Sequence, residues 1–402
     1  MPLAADLRVM ENSSTFDPAN AKGVPPENPR RGLRPLLGHH MFAAGTSCFL
    51  GVLALLSVIC FHFPDLLTSK EFRAVYTEDF VRHLLLAGLV AAFVTGTVAV
   101  LRDQHKRIAF TGIGTASLAL FLGGHSVHFD TIEDTPYSLG MDWFILALFF
   151  SALVFIPLEH HFARRPVAVF RKGWRTDAVY FFMSHVLVQF ILLMVTASTS
   201  VVTSTVEVPK VKDIIAATPF VLQFILAVFV ADLAQAVLHR AYHRINTLWK
   251  FHSVHHSSRE LDWLAGSRVH LIETILTRSI VILPLLLLGF SQEAVNAYAI
   301  LVGLQAVVAH SNLGINFGWL EYVITLPRYH HWHHARHEDY WDCNYAIHLP
   351  VVDMLMGCFK LPKDGSWPEE YGVFHLESVP QGFVAQHLMP FSKKESYEDY
   401  VS

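Results

Sequence analysis

Long apolar segments separated by short polar stretches dominate the pattern of the chain. Eight of these segments carry almost no charge away from their ends, and most approach the roughly 20 residues that a helix needs to cross a bilayer. In lipid, only helices and closed barrels satisfy all of their backbone polar groups, so the segments predict membrane-spanning α-helices. The eight predicted spans are 41–63, 83–101, 108–125, 142–158, 178–203, 217–238, 271–290 and 293–310.

The composition agrees with a membrane protein. Hydrophobic residues make up 52% of the 402-residue chain and charged residues only 16%, whereas soluble domains carry about 25% charged residues. A net charge of −4 without a basic run gives no indication of a nucleic acid partner. The four cysteines have neither CxxC spacing nor the arrangement of a disulfide framework.

The distribution of Lys and Arg between the spans predicts their orientation. Basic residues are concentrated before the first span and in loops 102–107 and 159–176, whereas loop 126–141 has three acidic residues and no Lys or Arg. With eight spans, this alternation places both termini on the cytoplasmic side. Segments 239–270 and 311–402 are then cytoplasmic too, and we expect them to form a helical cap on the membrane helices.

Histidine is the residue type that points to chemistry. Among the 25 His of the chain, His239 and His243 form an HxxxH motif, whereas 252–256 and 330–334 are both HxxHH motifs. Residues i, i+3 and i+4 lie on one helix face. HxxxH therefore presents two imidazoles to one point. HxxHH presents its first and last His to one point and leaves the middle His for a neighbouring ion.

These motifs can meet at one membrane face. His239 and His243 end the sixth predicted span, and His310 ends the eighth. The two HxxHH motifs lie in the segments that the predicted topology places on the same side. Histidines scattered along the chain would not be brought together in this way.

The number of these side chains predicts a site for two metal ions. Imidazole suits Zn, Fe, Cu and Ni, and a structural Zn ion takes four ligands. Eight motif histidines with His310 as a ninth exceed the need of one ion, and His270, framed by Arg268 and Glu273, is a further candidate. The predicted metal ligands are His239, His243, His252, His255, His256, His270, His310, His330, His333 and His334.

Ligating imidazoles usually donate their second N–H to a carboxylate or a carbonyl. Asp232, Glu273 and Asp342 are predicted to support the ligands in this way. Asp232 precedes His239 by seven residues, so the two side chains share a helix face.

The order HxxxH, HxxHH, single His and HxxHH after membrane spans resembles the fatty acid hydroxylase / sterol desaturase superfamily. The resemblance covers about residues 174–362, and Ala346 and Cys358 stand where that superfamily commonly has Gly and Thr. Further segments that resemble it are Trp174-Arg-Thr-Asp177, Arg268-Val-His270, His310-Ser-Asn312, Pro327-Arg-Tyr-His330, Asp342-Cys-Asn344-Tyr345 and Asp353-Met-Leu-Met-Gly357.

The resemblance implies a non-haem centre of two iron ions held mostly by His, with O₂ as co-substrate and a membrane lipid as substrate. It also makes Asn312 and Asn344 candidate supporting residues. An unactivated alkyl C–H bond needs a metal cofactor for its oxidation, so no catalytic residue is predicted beyond the metal centre. No cytochrome or flavin motif is fused to the chain, and a separate reductase, ferredoxin or cytochrome is expected to donate the electrons.

We therefore predict an all-α integral membrane protein with about eight spans and a cytoplasmic cap that holds the two metals. The predicted regions are a disordered cytoplasmic arm (1–40), a four-helix membrane region of unknown role (41–158), a hydroxylase-like catalytic domain (159–376) and a C-terminal tail (377–402). Hydroxylation of a fatty acyl, sterol or related lipid is the favoured activity.

Three alternatives remain open. One is a member of the same superfamily that keeps its ligands but serves as a lipid-binding protein. Desaturation could use the same site. A transporter or sensor of divalent cations is the more remote alternative, because it requires ionisable ligands near the bilayer midplane. Apart from Arg278, the spans contain almost no ionisable residue away from their ends.

Overall fold

The computed structural model describes residues 41–73, 75–127, 138–206, 208–373 and 379–392. The arm predicted at residues 1–40 and the last ten residues of the predicted tail lie outside these ranges. Over the described part of the chain the fold consists of α-helices and short 3₁₀ turns without β-strands. The predicted all-α class of membrane protein is confirmed.

The structure describes sixteen α-helices. In chain order they are α1 (Phe42–His62), α2 (Pro64–Leu67), α3 (Lys70–Arg73), α4 (Glu78–Leu101), α5 (Lys106–Phe121), α6 (Met141–Phe162), α7 (Trp174–Val186), α8 (Val188–Thr203), α9 (Pro209–Ala216), α10 (Phe220–Arg244), α11 (Asn246–His256), α12 (Leu271–Leu288), α13 (Gln292–His310), α14 (Pro327–His333), α15 (Pro350–Met356) and α16 (Phe383–Leu388).

Seven helical segments among the described residues are long and apolar enough to cross a bilayer, namely α1, α4, α5 with the turn that continues it to Ser126, α6, α10, α12 and α13. The remaining predicted span, 178–203, does not form one straight helix. It consists of α7 and α8, which are bent by 58° relative to each other at a break after Val186. Counting this bent pair as one span gives the eight that the hydropathy pattern predicts.

The first helices pack closely because small residues line their contacts. A Cβ atom added to Gly51 of α1 would overlap the carbonyl oxygen of Gly112 in α5, so only glycine permits this approach. The Ser47 hydroxyl donates to the Ala92 carbonyl of α4 over 2.8 Å. Phe144 of α6 and Phe181 of α7 share a buried apolar cluster with α1, which joins the N-terminal helices to the second half of the chain.

The ends of several long helices meet at one face of the bundle. This face holds the C-terminal ends of α6, α10 and α13 and the N-terminal ends of α7 and α12, together with the segments that connect them. Glu159, near the end of α6, accepts the backbone N–H groups of Trp263 and Asn312 at 2.7 and 2.9 Å. Its carboxylate thus joins two of the connecting segments at the face where the histidine motifs lie.

Buried ion pairs connect segments at the same face of the bundle. The Arg171 guanidinium contacts Asp177 and Asp262, each at 2.7 Å. Arg268 donates from Nε to Asp177 at 2.6 Å. All four side chains are almost completely buried, so each charge depends on its partners for stabilisation.

Candidate metal centre

Nine of the ten histidines predicted as ligands converge in two buried groups. Within each group, the candidate ligand atoms all lie within 4.8 Å of one another. The groups adjoin, because the rings of His256 and His334 stack with their centroids 4.3 Å apart. The five-histidine group consists of His239, His243, His252, His256 and His333, and the four-histidine group of His255, His310, His330 and His334.

Helical spacing distributes the histidines between the two groups. The last turns of α10 supply His239 and His243. Helix α11 supplies the first and last His of its HxxHH motif to the five-histidine group and the middle one, His255, to the four-histidine group. The motif at the end of α14 does the reverse, because only its middle member, His333, joins the five-histidine group.

Three backbone carbonyls of the segment 341–345 accept hydrogen bonds from rings of the five-histidine group. Nδ1 of His239 donates to the Tyr345 carbonyl at 2.8 Å, and Nδ1 of His333 donates to the Cys343 carbonyl at 2.8 Å. The backbone of Trp341 hydrogen-bonds His243. Alternate residues of one short segment therefore orient three imidazoles.

Other groups orient further rings. Nδ1 of His252 donates to the Glu273 carboxylate at 2.7 Å. In the four-histidine group, Nδ1 of His255 donates to the Arg268 carbonyl at 3.1 Å, and Nδ1 of His310 donates to the Ala306 carbonyl at 2.7 Å. These contacts determine the tautomer, because a carbonyl oxygen only accepts hydrogen bonds.

A neutral imidazole that donates from Nδ1 carries a lone pair on Nε2. The Nε2 atoms of His239 and His252 are 3.0 Å apart, and those of His255 and His310 are 3.2 Å apart. Two lone pairs repel each other at such distances unless a cation lies between them. A metal–nitrogen bond of about 2.1 Å would place neighbouring ligands of one ion about 3 Å apart. Both groups therefore fit a metal ion.

Burial keeps these imidazoles in the form that binds metals. Desolvation lowers the pKa of the histidines on α11 and at the end of α14 well below the ordinary value, and the neighbouring rings lower it further by charge repulsion. The rings are consequently neutral, and their lone pairs are available. The histidines in question are His252, His255, His256, His330, His333 and His334.

His270 was predicted as a ligand, but the structure does not bring it into either group. Its Nδ1 accepts the backbone N–H of Ile272 at 3.1 Å and caps α12. Its Nε2 donates to the His387 carbonyl at 3.1 Å, and the two rings stack. Both ring nitrogens are thus engaged at the N-terminus of α12, away from the two groups.

Among the predicted supporting residues, Glu273 touches a candidate ligand directly, whereas Asp232 acts on the backbone. The Asp232 carboxylate accepts N–H groups from Ile347, His348 and Leu349 at 2.7 to 3.2 Å. The prediction that it supports a ligand directly is not met, because its oxygens are occupied by the loop that follows Tyr345.

Asp342, Asn312 and Asn344 likewise touch no candidate ligand directly. Asp342 accepts the Tyr345 hydroxyl at 2.9 Å. Asn312 accepts the N–H of Arg165 at 3.1 Å and donates to the same residue's carbonyl. Asn344 lies between the Cys343 and Tyr345 carbonyls with a φ of 59°.

Sequence reasoning missed the carbonyl groups that accept hydrogen bonds from the candidate ligands, namely those of Arg268, Ala306, Trp341, Cys343 and Tyr345. A carbonyl has no residue-type signature, so no composition or spacing argument finds it. The resemblance of Asp342-Cys-Asn344-Tyr345 to a family motif is the one signal that pointed at this segment.

An integral membrane protein with two adjoining histidine groups, each of which could hold a metal ion, is the class that this fold and geometry define. Residues 224–358 match the model of the family described as fatty acid hydroxylase. This part of the chain is similar to that family, and the resemblance seen in its motifs is confirmed.

Named relatives also match part of the chain. Ornithine lipid hydroxylase of Rhizobium tropici is 31% identical over 176 residues, which are 44% of this chain and 52% of that protein. Alkylglycerol monooxygenase of Homo sapiens is 30% identical over 145 residues, and that of Danio rerio 32% over 140 residues. These matches cover 36% and 35% of this chain and 31% of each relative. No solved structure matches the chain.

Proposed function

We propose that the protein is a di-iron enzyme that uses O₂ to hydroxylate a C–H bond of a membrane lipid. The observation that carries this proposal is the pair of adjoining histidine groups, whose Nε2 lone pairs face one another at 3.0–3.2 Å. The five-histidine group would hold one iron ion and the four-histidine group the other. When bound, the two ions supply the oxidation of the C–H bond by O₂, which no side chain can perform.

The residues of the chain hold and shield the site. Glu273 and the carbonyls of 341–345 orient the imidazoles, and burial of the rings excludes water from them. Both groups lie where α10 and α13 end, so a lipid chain can reach the site from the bilayer without being extracted into water. No side chain beyond the ligands is assigned a catalytic role.

Hydroxylation inserts one oxygen atom of O₂ into the C–H bond and reduces the other to water, which consumes two electrons and two protons. We assign the electrons to a separate reductase, ferredoxin or cytochrome. Hydroxylation is favoured over desaturation because the matched relatives are named hydroxylase and monooxygenase. The substrate is a membrane lipid of the fatty acyl, sterol or a related class.

The location of the site follows from the charge of the loops. The basic residues of 102–107 and 159–176 favour the cytoplasmic side for the metal centre and both termini. The region 159–376 is proposed as the catalytic domain and 41–158 as a membrane module that packs on it.

The decisive experiment combines metal analysis with product mass. The protein purified with iron should contain two irons per chain, and with a reductant and heavy-oxygen O₂ it should add one labelled oxygen to a lipid of the host membrane. The His333→Ala variant should lose both properties. The exposed His337 provides the matched control, and His337→Ala should keep them.

Two results would contradict the proposal. A product that has lost two hydrogen atoms and gained no label would show a desaturase. Iron binding without any oxidised lipid would show that the site is not an oxygenase.

A further inference from the structure

A cavity among the N-terminal helices lies apart from the histidine groups and takes no part in the proposed reaction. Its volume is about 220 Å³, and its walls are α1, α4, α6 and the segment between α1 and α4. Helices α4 and α6 both pack on α1, so the cavity is a gap between the three helices. It belongs to the region 41–158, for which the sequence predicts no role.

The polar end of this cavity lies at the membrane face opposite the histidine groups. Asp142 lines it near the start of α6, whereas Glu159 near the end of α6 binds segments at the histidine face. The two carboxylates are about 25 Å apart along the helix. Phe149 is the last residue of α6 that lines the cavity, and it still precedes Glu159 by about 15 Å. A molecule in the cavity therefore does not reach the histidine groups.

The inner part of the cavity is apolar. Leu53 of α1, Leu85 of α4 and Ile145 of α6 line it, and all three are buried in the bundle. The wall that α4 provides extends from Glu78 to Gly88, which is about 15 Å. An apolar cavity of about 150 Å³ is large enough to bind benzene. The larger and elongated space here fits a segment of one alkyl chain.

The other end of the cavity carries polar side chains, and its acidic groups are already paired. The Asp142 carboxylate accepts the backbone N–H of Ser69 at 3.0 Å and the hydroxyl of Tyr76 at 2.9 Å. Glu78 accepts Nε–H of Arg82 at 2.6 Å. Both carboxylates that line this end thus have donors of their own.

Arg73, the last residue of α3, also lines the cavity and differs from these groups. Its Nε is buried, yet the side chain has neither a hydrogen-bond partner nor an ion pair among the residues that the structure describes. A guanidinium presents five N–H donors in a planar fork that matches a carboxylate or a phosphate. The charge at this end of the cavity is therefore complementary to an anionic group.

We propose that the cavity between α1, α4 and α6 binds a single-chain anionic amphiphile, either a fatty carboxylate or an alkyl phosphate. Arg73 binds the anionic group, and the alkyl chain lies between Leu53, Leu85 and Ile145. This molecule is not the one that is oxidised, so the site is independent of the proposed function. The N-terminal helices are then a lipid-binding module beside the region proposed as catalytic.

Two glycines provide a matched pair of variants. A Cβ atom added to Gly88, which lines the cavity, would meet nothing within 4 Å, and the same holds for Gly114 of α5, which does not line it. Gly88→Leu should therefore fill part of the cavity without a backbone clash, whereas Gly114→Leu places the same side chain elsewhere. Leucine favours a helix more than glycine does, so neither change should destabilise its helix.

Photolabelling measures the occupancy of the cavity. The full-length protein in phosphatidylcholine nanodiscs is labelled with a photoreactive hexadecanoate, and mass spectrometry of its peptides locates the label. Unlabelled hexadecanoate, hexadecyl phosphate, hexadecan-1-ol, cholesterol and inorganic phosphate then compete with the probe. Arg73→Gln tests the anionic group, with the exposed Arg102→Gln as its matched control.

The unmodified protein, Gly114→Leu and Arg102→Gln should carry the label on the cavity walls. An anionic amphiphile should compete about tenfold better than the alcohol, the effect of one charged hydrogen bond. Gly88→Leu should reduce labelling of these walls about tenfold, because leucine displaces several methylene groups of the chain. Arg73→Gln should abolish the preference for the anion, and the stronger anionic competitor in the unmodified protein identifies the headgroup.

Several results would overturn the proposal. Equal labelling of Gly88→Leu and Gly114→Leu, or a label outside the walls, would exclude the cavity as the site. A preference that persists in Arg73→Gln, or equal competition by the alcohol or cholesterol, would exclude the anionic group. Competition by inorganic phosphate as strong as that by hexadecyl phosphate would exclude the alkyl chain.

Folding and the proposed function are controlled separately. Thermal unfolding and elution as a single species show whether a variant is folded. Arg73→Lys is the milder change and should keep part of the preference for the anion. The competition needs neither iron nor turnover, so a protein that binds the anionic amphiphile but oxidises no lipid contradicts only the proposed function.

Discussion

The carbonyl oxygen of Cys343 accepts a hydrogen bond from Nδ1 of His333 over 2.8 Å. Two residues further on, the Tyr345 carbonyl does the same for His239 over the same distance. Between them lies Asn344, which is completely buried and has a φ of 59°. This left-handed residue turns the backbone so that both flanking carbonyls point at the five-histidine group.

Replacing Asn344 should therefore weaken iron binding, although Asn344 itself touches no candidate ligand. Its amide donates to the Tyr329 and Lys360 carbonyls and accepts the N–H of Lys360. Asn344→Ala loses these bonds and adds the strain of a left-handed alanine, which together cost about 2–4 kcal/mol. Asn344→Gly loses the bonds without the strain, so its cost should be about 1 kcal/mol smaller. Unfolding temperature and iron per chain measure both effects, and equal losses in the two variants would show that the backbone conformation is irrelevant.

Glu273 should control how tightly the five-histidine group holds its ion. Its Oε1 accepts Nδ1–H of His252 at 2.7 Å. Loss of such a partner typically weakens metal binding about 10–100-fold. Glu273→Ala should show this loss, whereas Glu273→Gln keeps an acceptor oxygen and should lose less. Competition with a chelator measures the affinity, and an affinity in Glu273→Ala equal to that of the unmodified protein would argue against the role of this hydrogen bond.

His270 and His252 should behave differently although both were predicted as ligands. His252→Ala removes a member of the five-histidine group and should reduce the iron content. His270→Ala should keep both irons and lower stability by about 1 kcal/mol through loss of the N-cap of α12. His270→Asn restores a capping side chain and should recover most of that stability. Iron content and thermal unfolding are measured for all three variants. Loss of iron from His270→Asn would show that His270 is a metal ligand after all.

Asp177 should be among the most sensitive positions outside the histidines. It accepts hydrogen bonds from Arg171 at 2.7 Å and Arg268 at 2.6 Å, and all three side chains are buried. Asp177→Asn leaves buried positive charge uncompensated, which costs about 3–5 kcal/mol. The exposed pair of Asp103 and Lys106 is the control, because Asp103→Asn should cost less than about 1 kcal/mol.

The Arg268 carbonyl also accepts Nδ1–H of His255. Asp177→Asn should therefore reduce iron binding by the four-histidine group as well as stability. Thermal unfolding and iron content of both variants provide the measurement. A similar small destabilisation in the two variants would show that the buried network is not needed for the fold.

The sequence by itself determined the helices and the sharing of histidines between helix faces. Apolar segments long enough for a bilayer have few alternatives to a helix, and the i, i+3, i+4 spacing sends His255 to a different point from His252 and His256. Both are local properties, and the residues that decide them are neighbours along the chain.

Tertiary structure alone decided how those histidines are held. The acceptors of His239, His333 and His255 are carbonyl oxygens, which every residue possesses, and only folding selects the ones that reach a ring. The same holds for His270 and Asp232, whose side chains suit a metal site but whose nearest partners are a helix N-terminus and a loop backbone. The chemistry of a side chain limits what it can bind, and its neighbours in the folded structure determine which of these partners it binds.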